Sequence, residues 1–239
     1  MELKLLYLTY KDVDMLIKKG YTNLIIPVGT IEAHGPHLPL GTDALIPEII
    51  AEEIAESIKA LIAPTVYYGI TQTLLRYKGS TSVSGATLRN LLKEIIRVYH
   101  AHGFQKFVII NGHGGNVTPI RDAMNDLWLE NRIKSIVVHW WIYTRNITEE
   151  IYGEPGGHGG LDETAFILAK MPKFVKKYDF NEEVYLYERG IEVWPAPGSI
   201  IIYEKNKGLP KLDTDLADKY VKAVIKALKN RIRELLKRI

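Results

Sequence analysis

Carboxylates and imidazoles lie close together in one short stretch of the chain. Glu32 and His34 are two residues apart, directly after an apolar run, and Asp43 follows nine positions after His34. Carboxylate oxygens and imidazole nitrogens are the ligands that hydrolases use to hold catalytic divalent ions. This stretch therefore predicts a metal site.

Two later motifs offer further ligands of the same kind. His113 lies in Asn111-Gly-His-Gly-Gly-Asn116, and a third motif reads His158-Gly-Gly-Leu-Asp-Glu163. The glycines around His113 let the backbone approach an ion or a substrate closely. A single histidine or glutamate near a strand end is usually structural. Because buried charges are costly without partners, donors in three loops together favour a two-metal hydrolase.

The composition limits the type of protein and of site. The 239 residues, 46% of them hydrophobic, can bury one sizeable core, and we expect a single domain over residues 1–239. Cysteine is absent, so any metal site has nitrogen and oxygen ligands. The net charge of +3 and the lack of a long basic block give no sign of nucleic-acid binding. No apolar stretch would span a membrane or resemble a signal peptide, so we expect a cytoplasmic protein that does not contact membranes.

Apolar runs and helical periodicity alternate along the chain. Short apolar runs predict buried strands at 23–28, 61–66, 106–110 and 133–140. Apolar residues spaced three and four apart predict helices at 46–59, 86–102 and 117–131. This alternation predicts an α/β fold, with a central, mostly parallel sheet and helices on both faces. Two later pieces, 192–195 and 199–203, predict a small hairpin or a pair of edge strands.

The chain from residue 214 to the end reads as one long amphipathic helix. An apolar stripe runs along one side, and the other side is rich in lysine and arginine. We interpret the basic side as a solvated face of a packed helix. The alternative is a nucleic-acid-binding module, which would show binding that weakens steeply with salt.

The predicted strands also say where the ligands should lie. The Glu32 loop and the His113 loop each follow a predicted strand. In open parallel sheets, sites form outside the carboxyl ends of the strands. We therefore expect the two loops to meet in one place.

Three motifs, in this order along the chain, resemble those of the creatininase (creatinine amidohydrolase) family. They are Glu32-Ala-His34-Gly-Pro-His with Thr42-Asp43, then the Asn-Gly-His113 motif, then His158-x-Gly-x-x-Glu163. The resemblance implies a creatininase-like α/β fold and a binuclear Zn, Mn or Fe site. It also implies hydrolysis of amide-type C–N bonds in a small-molecule substrate, and a cytoplasmic homo-oligomer, often a hexamer.

Matched residue by residue, the resemblance makes Glu32 and His113 ligands of one metal ion and His34 a ligand of the other. Asp43 would bridge the two, since a carboxylate has two oxygens and can span ions roughly 4 Å apart. Creatininase itself has a glutamate ligand where this chain has Gly115. Glu163 is the expected replacement, as a ligand and as a catalytic group; its alternative role is a carboxylate favouring the start of a helix.

The expected mechanism is attack of a metal-activated hydroxide on a carbonyl or formyl carbon. His158 resembles the family's catalytic histidine and is the candidate general acid, because imidazole titrates near neutral pH. His37 either orients a ligand or packs in a rigid turn, and Asn111 is expected to order its loop. The residues expected to contact substrate are Thr71, Arg76, Gly114 and Gly115.

The substrate is the least determined part of this prediction. The missing glutamate at Gly115 argues against creatinine, and we favour the archaeal deformylase branch. That branch acts on a formamidopyrimidine ribonucleotide in riboflavin and deazaflavin coenzyme biosynthesis, and its phosphate would need cations such as Arg76, Lys78 or Arg145. The alternatives are a hydrolase of creatinine or another cyclic amide, and a mycofactocin-type peptidase. A protein in which metal only staples loops together, without catalysis, is the alternative of another class.

Overall fold

The computed structural model describes residues 1–177 and 207–239. Four strands form one sheet in the order β2-β1-β3-β4, and every neighbouring pair is parallel. The strands are β1 (Asn23–Val28), β2 (Ala60–Ile62), β3 (Lys106–Asn111) and β4 (Lys134–His139). The predicted hairpin at 192–195 and 199–203 lies outside the described residues.

Eight α-helices accompany the sheet in the described part of the chain. They are α1 (Tyr10–Lys18), α2 (Thr42–Ile54), α3 (Gly85–Ala101), α4 (Val117–Asn131), α5 (Trp140–Tyr143), α6 (Arg145–Tyr152), α7 (Leu161–Lys170) and α8 (Thr214–Arg238). Helix α3 packs on α4, while α2, α7 and α8 pack on one another. The predicted parallel sheet covered by helices on both faces is confirmed, as is the long C-terminal helix.

The central strands are almost wholly apolar because they are covered on both sides. In β1 and β3 every residue after the first is buried, whereas β4, at the sheet edge, alternates between buried and partly exposed residues. Helix α8 buries an apolar stripe that includes Tyr220, Val224, Leu228 and Ile232. No helix among the described residues is long and apolar enough to cross a membrane.

Several predicted boundaries differ from the structure, and one of them matters for the site. Strand β2 ends at Ile62 rather than at residue 66. The N–H groups of Ala63 and Val66 bond to the carbonyls of Ile25 and Pro27, so an extra residue interrupts the regular ladder, and Val66 forms only an isolated bridge with Val28. Helix α2 begins at Thr42 rather than at residue 46. Asp43 therefore lies in the first turn of α2 instead of in the preceding loop.

The strand order creates a crevice between β1 and β3. The chain leaving β1 returns to the sheet as β2 on one side, and the chain leaving β3 returns as β4 on the other. Such a switch point leaves an open crevice at the carboxyl ends of the two strands, where ligands bind in open α/β sheets. The loops after β1 and β3 carry Glu32, His34 and His113.

Candidate metal centre

Asp43 lies at the centre of the site, and its two oxygens face different histidines. Oδ1 lies 2.9 Å from Nε2 of His34, and Oδ2 lies 2.7 Å from Nδ1 of His113. The first turn of α2 can pack closely against the strand ends because residue 112 is glycine. A Cβ on Gly112 would overlap the backbone carbonyl of Asp43.

Glu32 is held beside this pair by the loop after β1 and by Thr71. Its Oε2 accepts a hydrogen bond of 2.7 Å from the Thr71 hydroxyl. Its Oε1 lies 3.2 Å from Nδ1 of His113 and 3.4 Å from Nδ1 of His158. Glu32 and Thr71 are both buried, so the orientation of this carboxylate is fixed from behind.

The third motif comes to the same place from the loop before α7. The ring of His158 lies against that of His34, with 4.2 Å between ring centroids. Glu163, in the first turn of α7, accepts a hydrogen bond of 2.6 Å from the backbone N–H of Gly159. Its Oε2 lies 3.6 Å from Nε2 of His34. The structure thus brings together all six residues predicted as ligands or catalytic groups: Glu32, His34, Asp43, His113, His158 and Glu163.

Each of the three histidines uses one ring nitrogen to donate to a backbone carbonyl. His34 Nδ1 bonds to the carbonyl of Glu32 at 3.0 Å, His113 Nε2 to that of Ile70 at 2.8 Å, and His158 Nε2 to that of Ala33 at 2.7 Å. A carbonyl only accepts, so each of these nitrogens carries a hydrogen. In the neutral rings, the other nitrogen then presents a lone pair to the carboxylates.

A nitrogen lone pair and a carboxylate oxygen repel each other unless a cation lies between the two atoms. Burial alone would lower the pKa of His34, but Asp43 and Glu163 outweigh it and raise the pKa to about 10. The pKa of His113 is likewise raised by Asp43 and Glu32 against the effect of burial. These shifts show how strongly the pocket favours positive charge at the two nitrogens, which divalent ions would supply.

Two sets of three possible ligands share Asp43. Glu32, Asp43 and His113 have ligand atoms within 4.8 Å of one another, and so do His34, Asp43 and Glu163. A third set, Glu32, His34 and His158, meets the same criterion. Imidazole and carboxylate donors suit Zn, Mn or Fe, so the residues present fit a pair of such ions.

Comparison with known proteins agrees with this arrangement. A family model described as "Creatininase: Creatinine amidohydrolase" matches residues 7–199, most of the chain. The chain belongs to the creatininase family. The creatinine amidohydrolase of Pseudomonas putida is 31% identical over 188 residues, covering 70% of this chain and 72% of that protein. A solved structure titled as a mutant creatininase of the Zn-Zn type superposes with a TM-score of 0.83 at 26% identity, covering 98% of both chains.

Relatives with other activities also match this creatininase-family chain. The mycofactocin precursor peptide peptidase of Mycobacterium ulcerans is 32% identical over 166 residues, covering 65% of this chain and 61% of that protein. A 2-amino-5-formylamino-6-ribosylaminopyrimidin-4(3H)-one 5'-monophosphate deformylase of Methanothermus fervidus is 26% identical, covering 67% and 60%. Family membership therefore indicates a hydrolase without naming its substrate.

Gly115 departs from creatininase, and the structure shows why no side chain fits there. A Cβ on Gly115 would overlap the carbonyl of Ile70 and lie 2.8 Å from Nε2 of His113. The Ile70 carbonyl that this Cβ would overlap already accepts the hydrogen bond that orients the ring of His113. Glu163 offers a carboxylate oxygen within 4.8 Å of the ligand atoms of Asp43 and His34.

Five of the six residues line a cavity of about 540 Å³ at the crevice, while His34 is fully buried and does not line it. Its wall includes Glu32, Asp43, His113, His158 and Glu163, together with Gly114 and Gly115. Sequence reasoning did not single out Gln72 or Trp141, which line the same wall. Trp141 follows the end of β4, and that position at the carboxyl edge of the sheet was the available signal.

The other predicted residues lie outside this wall. Thr71 is buried behind Glu32, and Arg76 is exposed and bonds to the hydroxyl of Tyr77. His37 Nε2 lies 2.9 Å from the hydroxyl of Thr164, next to Glu163. Asn111 donates to the carbonyl of His113 at 2.8 Å and accepts from its N–H at 3.1 Å.

Asp162 is a further buried carboxyl group on the cavity wall. Its Oδ1 accepts a hydrogen bond of 3.0 Å from the N–H of Gly157, and burial raises its pKa to about 6. It lies next to Glu163 in the first turn of α7 but is absent from the three sets of converging donors. Its bond to Gly157 instead orders the loop that carries His158.

Proposed function

We propose that this chain is a binuclear metal-dependent amidohydrolase that cleaves a non-peptide C–N bond in a small substrate. The observation that carries the proposal is the position of Asp43 between His34 and His113, at the floor of an open cavity. A carboxylate in that position can bridge two ions. The creatininase fold and family support the same reading.

In this proposal Glu32 and His113 would hold one ion, His34 and Glu163 would hold the other, and Asp43 would be shared between them. When bound, such ions would activate water and polarise the carbonyl oxygen of the substrate. The protein contributes ligands whose orientation is set in advance. Thr71 fixes Glu32, and the carbonyls of Glu32 and Ile70 fix the rings of His34 and His113.

His158 is the proposed carrier of the proton. Its Nε2 is committed to the carbonyl of Ala33, so Nδ1 is the atom available for proton transfer. Burial, with the positive charge of His34, lowers the pKa of His158 to about 4 in the metal-free protein, so the ring begins as a base. Nδ1 would take a proton from the attacking water and deliver it to the departing nitrogen as the C–N bond breaks.

The residues that line the cavity limit which substrates it can bind. Among residues 1–177 and 207–239, no lysine or arginine lines it; Arg145 lines an adjoining pocket of about 260 Å³. A phosphate-bearing nucleotide therefore meets no cationic side chain from the described residues there. We propose a small amide or formamide as the reacting group, with the formamidopyrimidine ribonucleotide, cyclic amides and a mycofactocin-type peptide as the substrates to compare.

The remaining expectations stay predictions. The identity of the ions as Zn, Mn or Fe, the homo-oligomeric state, the hexamer and the cytoplasmic location all derive from the resemblance and the composition. Size-exclusion chromatography with light scattering would measure the subunit number of the purified protein.

A screen of purified, metal-reconstituted protein tests the proposed activity. Small amides, formamides and cyclic ureides are incubated with wild type, Asp43→Ala and His158→Ala, and with His102→Ala as a control at an exposed histidine. We expect release of an amine, formate or a ring-opened acid by wild type and His102→Ala, and loss of at least about 100-fold in the other two. No turnover by wild type would favour metal as a structural staple, and equal rates for wild type and His158→Ala would contradict the role of His158.

A further inference from the structure

His139 is the last residue of β4 and lies outside the catalytic cavity. It pairs in the sheet register with Asn111, the last residue of β3. Its side chain lines two grooves on either side of the edge strand, of about 490 and 370 Å³. It is half-buried, and no step of the proposed reaction uses it.

The orientation of the Asn111 amide is fixed by the backbone of His113. The N–H of His113 donates to Asn111 Oδ1 at 3.1 Å, so that atom must be the amide oxygen. The other amide atom is then the nitrogen. It donates to the carbonyl of His113 at 2.8 Å and lies 3.0 Å from Nδ1 of His139.

This geometry determines the protonation state of His139. The Asn111 Nδ2 group only donates, so Nδ1 of His139 has to accept, and the ring hydrogen must be on Nε2. Burial, with a smaller effect of Arg121, lowers the pKa of His139. A neutral ring at neutral pH is what the acceptor role requires.

We propose that His139 is a positioning residue for the metal ligand His113, acting through Asn111. The chain of bonds runs from His139 Nδ1 to the Asn111 amide, and from there to both the N–H and the carbonyl of His113. It holds the backbone of His113 while the carbonyl of Ile70 holds its ring. The inference rests on the proposed metal centre.

Two substitutions separate this role from simple packing. His139→Leu removes the acceptor, whereas His139→Asn places an oxygen one bond from Cγ, where Nδ1 was. Zinc retention is measured by dialysis of loaded protein against a fixed chelator concentration, with His102→Leu as the control. We expect His139→Leu to retain zinc roughly 10-fold or more weakly, and His139→Asn and the control to stay within about threefold of wild type.

A spectroscopic test on metal-free protein keeps the proposal independent of the proposed function. Long-range ¹H–¹⁵N correlation of histidine-labelled protein reports which ring nitrogen is protonated, and the His139 signals are those missing in His139→Asn. We expect Nε2–H and an unprotonated Nδ1. Failure of the zinc experiment for every variant including wild type would count against the metal centre alone.

Any of three results would overturn the role of His139. One is a proton on Nδ1 of His139 in the wild-type spectrum. Another is wild-type zinc retention by a folded His139→Leu protein, with folding confirmed by an unchanged far-UV circular dichroism spectrum. Equal losses of zinc in His139→Leu and His139→Asn would also contradict the acceptor role.

Discussion

The hydroxyl of Thr71 donates a hydrogen bond of 2.7 Å to Oε2 of Glu32, and neither residue is exposed to solvent. One oxygen of the carboxylate is thereby occupied, and the other, Oε1, is left facing His113 and His158. Thr71, which the sequence predicts as a substrate contact, therefore orients a proposed metal ligand. The free rotation that Glu32 would have in water is removed before any ion binds.

Thr71→Val should weaken the metal centre without unfolding the protein. Valine has nearly the shape of threonine but cannot donate to Glu32, so the carboxylate loses its fixed orientation. We expect metal retention against a chelator to fall by roughly 10-fold. Thr73→Val is the matched control, since Thr73 lines the cavity without a hydrogen bond to Glu32. Equal effects of the two variants would contradict the role of Thr71.

Glu163→Gln should remove one ion and leave the other. Glutamine can still accept from the N–H of Gly159, so the loop is preserved, but it loses the negative charge that faces His34. Elemental analysis should give about one ion per chain instead of two, with activity reduced by roughly 100-fold or more. The exposed Glu150→Gln variant should keep both ions. Two tightly bound ions in Glu163→Gln would show that Glu163 is not a ligand.

Gly115→Ala and Gly114→Ala form a matched pair of neighbouring substitutions. A Cβ at residue 115 meets the Ile70 carbonyl and the ring of His113, whereas one at residue 114 has nothing within 4 Å. We expect Gly115→Ala to lower the free energy of unfolding by about 1–3 kcal/mol, with weaker metal retention. Gly114→Ala should stay within about 0.5 kcal/mol of wild type. Denaturant unfolding of both proteins would check this, and equal stabilities would refute it.

Glu48 should make stability depend on pH away from the metal centre. It pairs with Lys4 at 3.1 Å and accepts hydrogen bonds from Tyr67 at 2.9 Å and Thr65 at 3.1 Å. Burial tends to raise the pKa of Glu48, but the bonds from Lys4 and Tyr67 prevail and lower it below 4.5. A carboxylate with a lowered folded-state pKa stabilises the fold above its unfolded-state pKa, and the contribution disappears as pH falls through the folded value.

Glu48→Gln should therefore be less stable than wild type by about 1 kcal/mol at pH 7. The difference should begin to shrink as pH falls below about 4.5 and should disappear only below the lowered folded-state pKa of Glu48, where that side chain is neutral. Urea unfolding of the metal-free proteins at several pH values measures it, with the exposed Glu94→Gln variant as control. A difference that grew on acidification would have the wrong sign for this account.

The sheet and the candidate ligands could be predicted from the sequence because both depend on local signals. Apolar runs predicted β1 and β3 correctly, since strands buried on both faces contain little else. The ligand loops follow directly from those strands. Helix α1 was missed, although Thr9 and Asp12 form a capping box that signals its start.

The rest of the site depends on distances that no local pattern contains. Thr71 reaches Glu32 and His139 reaches Asn111 only after the sheet has assembled. The early start of α2 was missed because the apolar spacing that predicted the helix begins only at Ile46, whereas the helix begins at Thr42. The absence of cationic side chains from the described cavity wall likewise emerges only from the packing of separate loops.

The central claim is that Asp43 bridges two metal ions, and anomalous diffraction from metal-loaded crystals tests it directly. Data collected on either side of the zinc or manganese absorption edge should show two peaks, roughly 4 Å apart, on either side of the Asp43 carboxylate. One peak should contact Glu32 and His113, and the other His34 and Glu163. A single peak, or peaks that Asp43 does not join, would contradict the account.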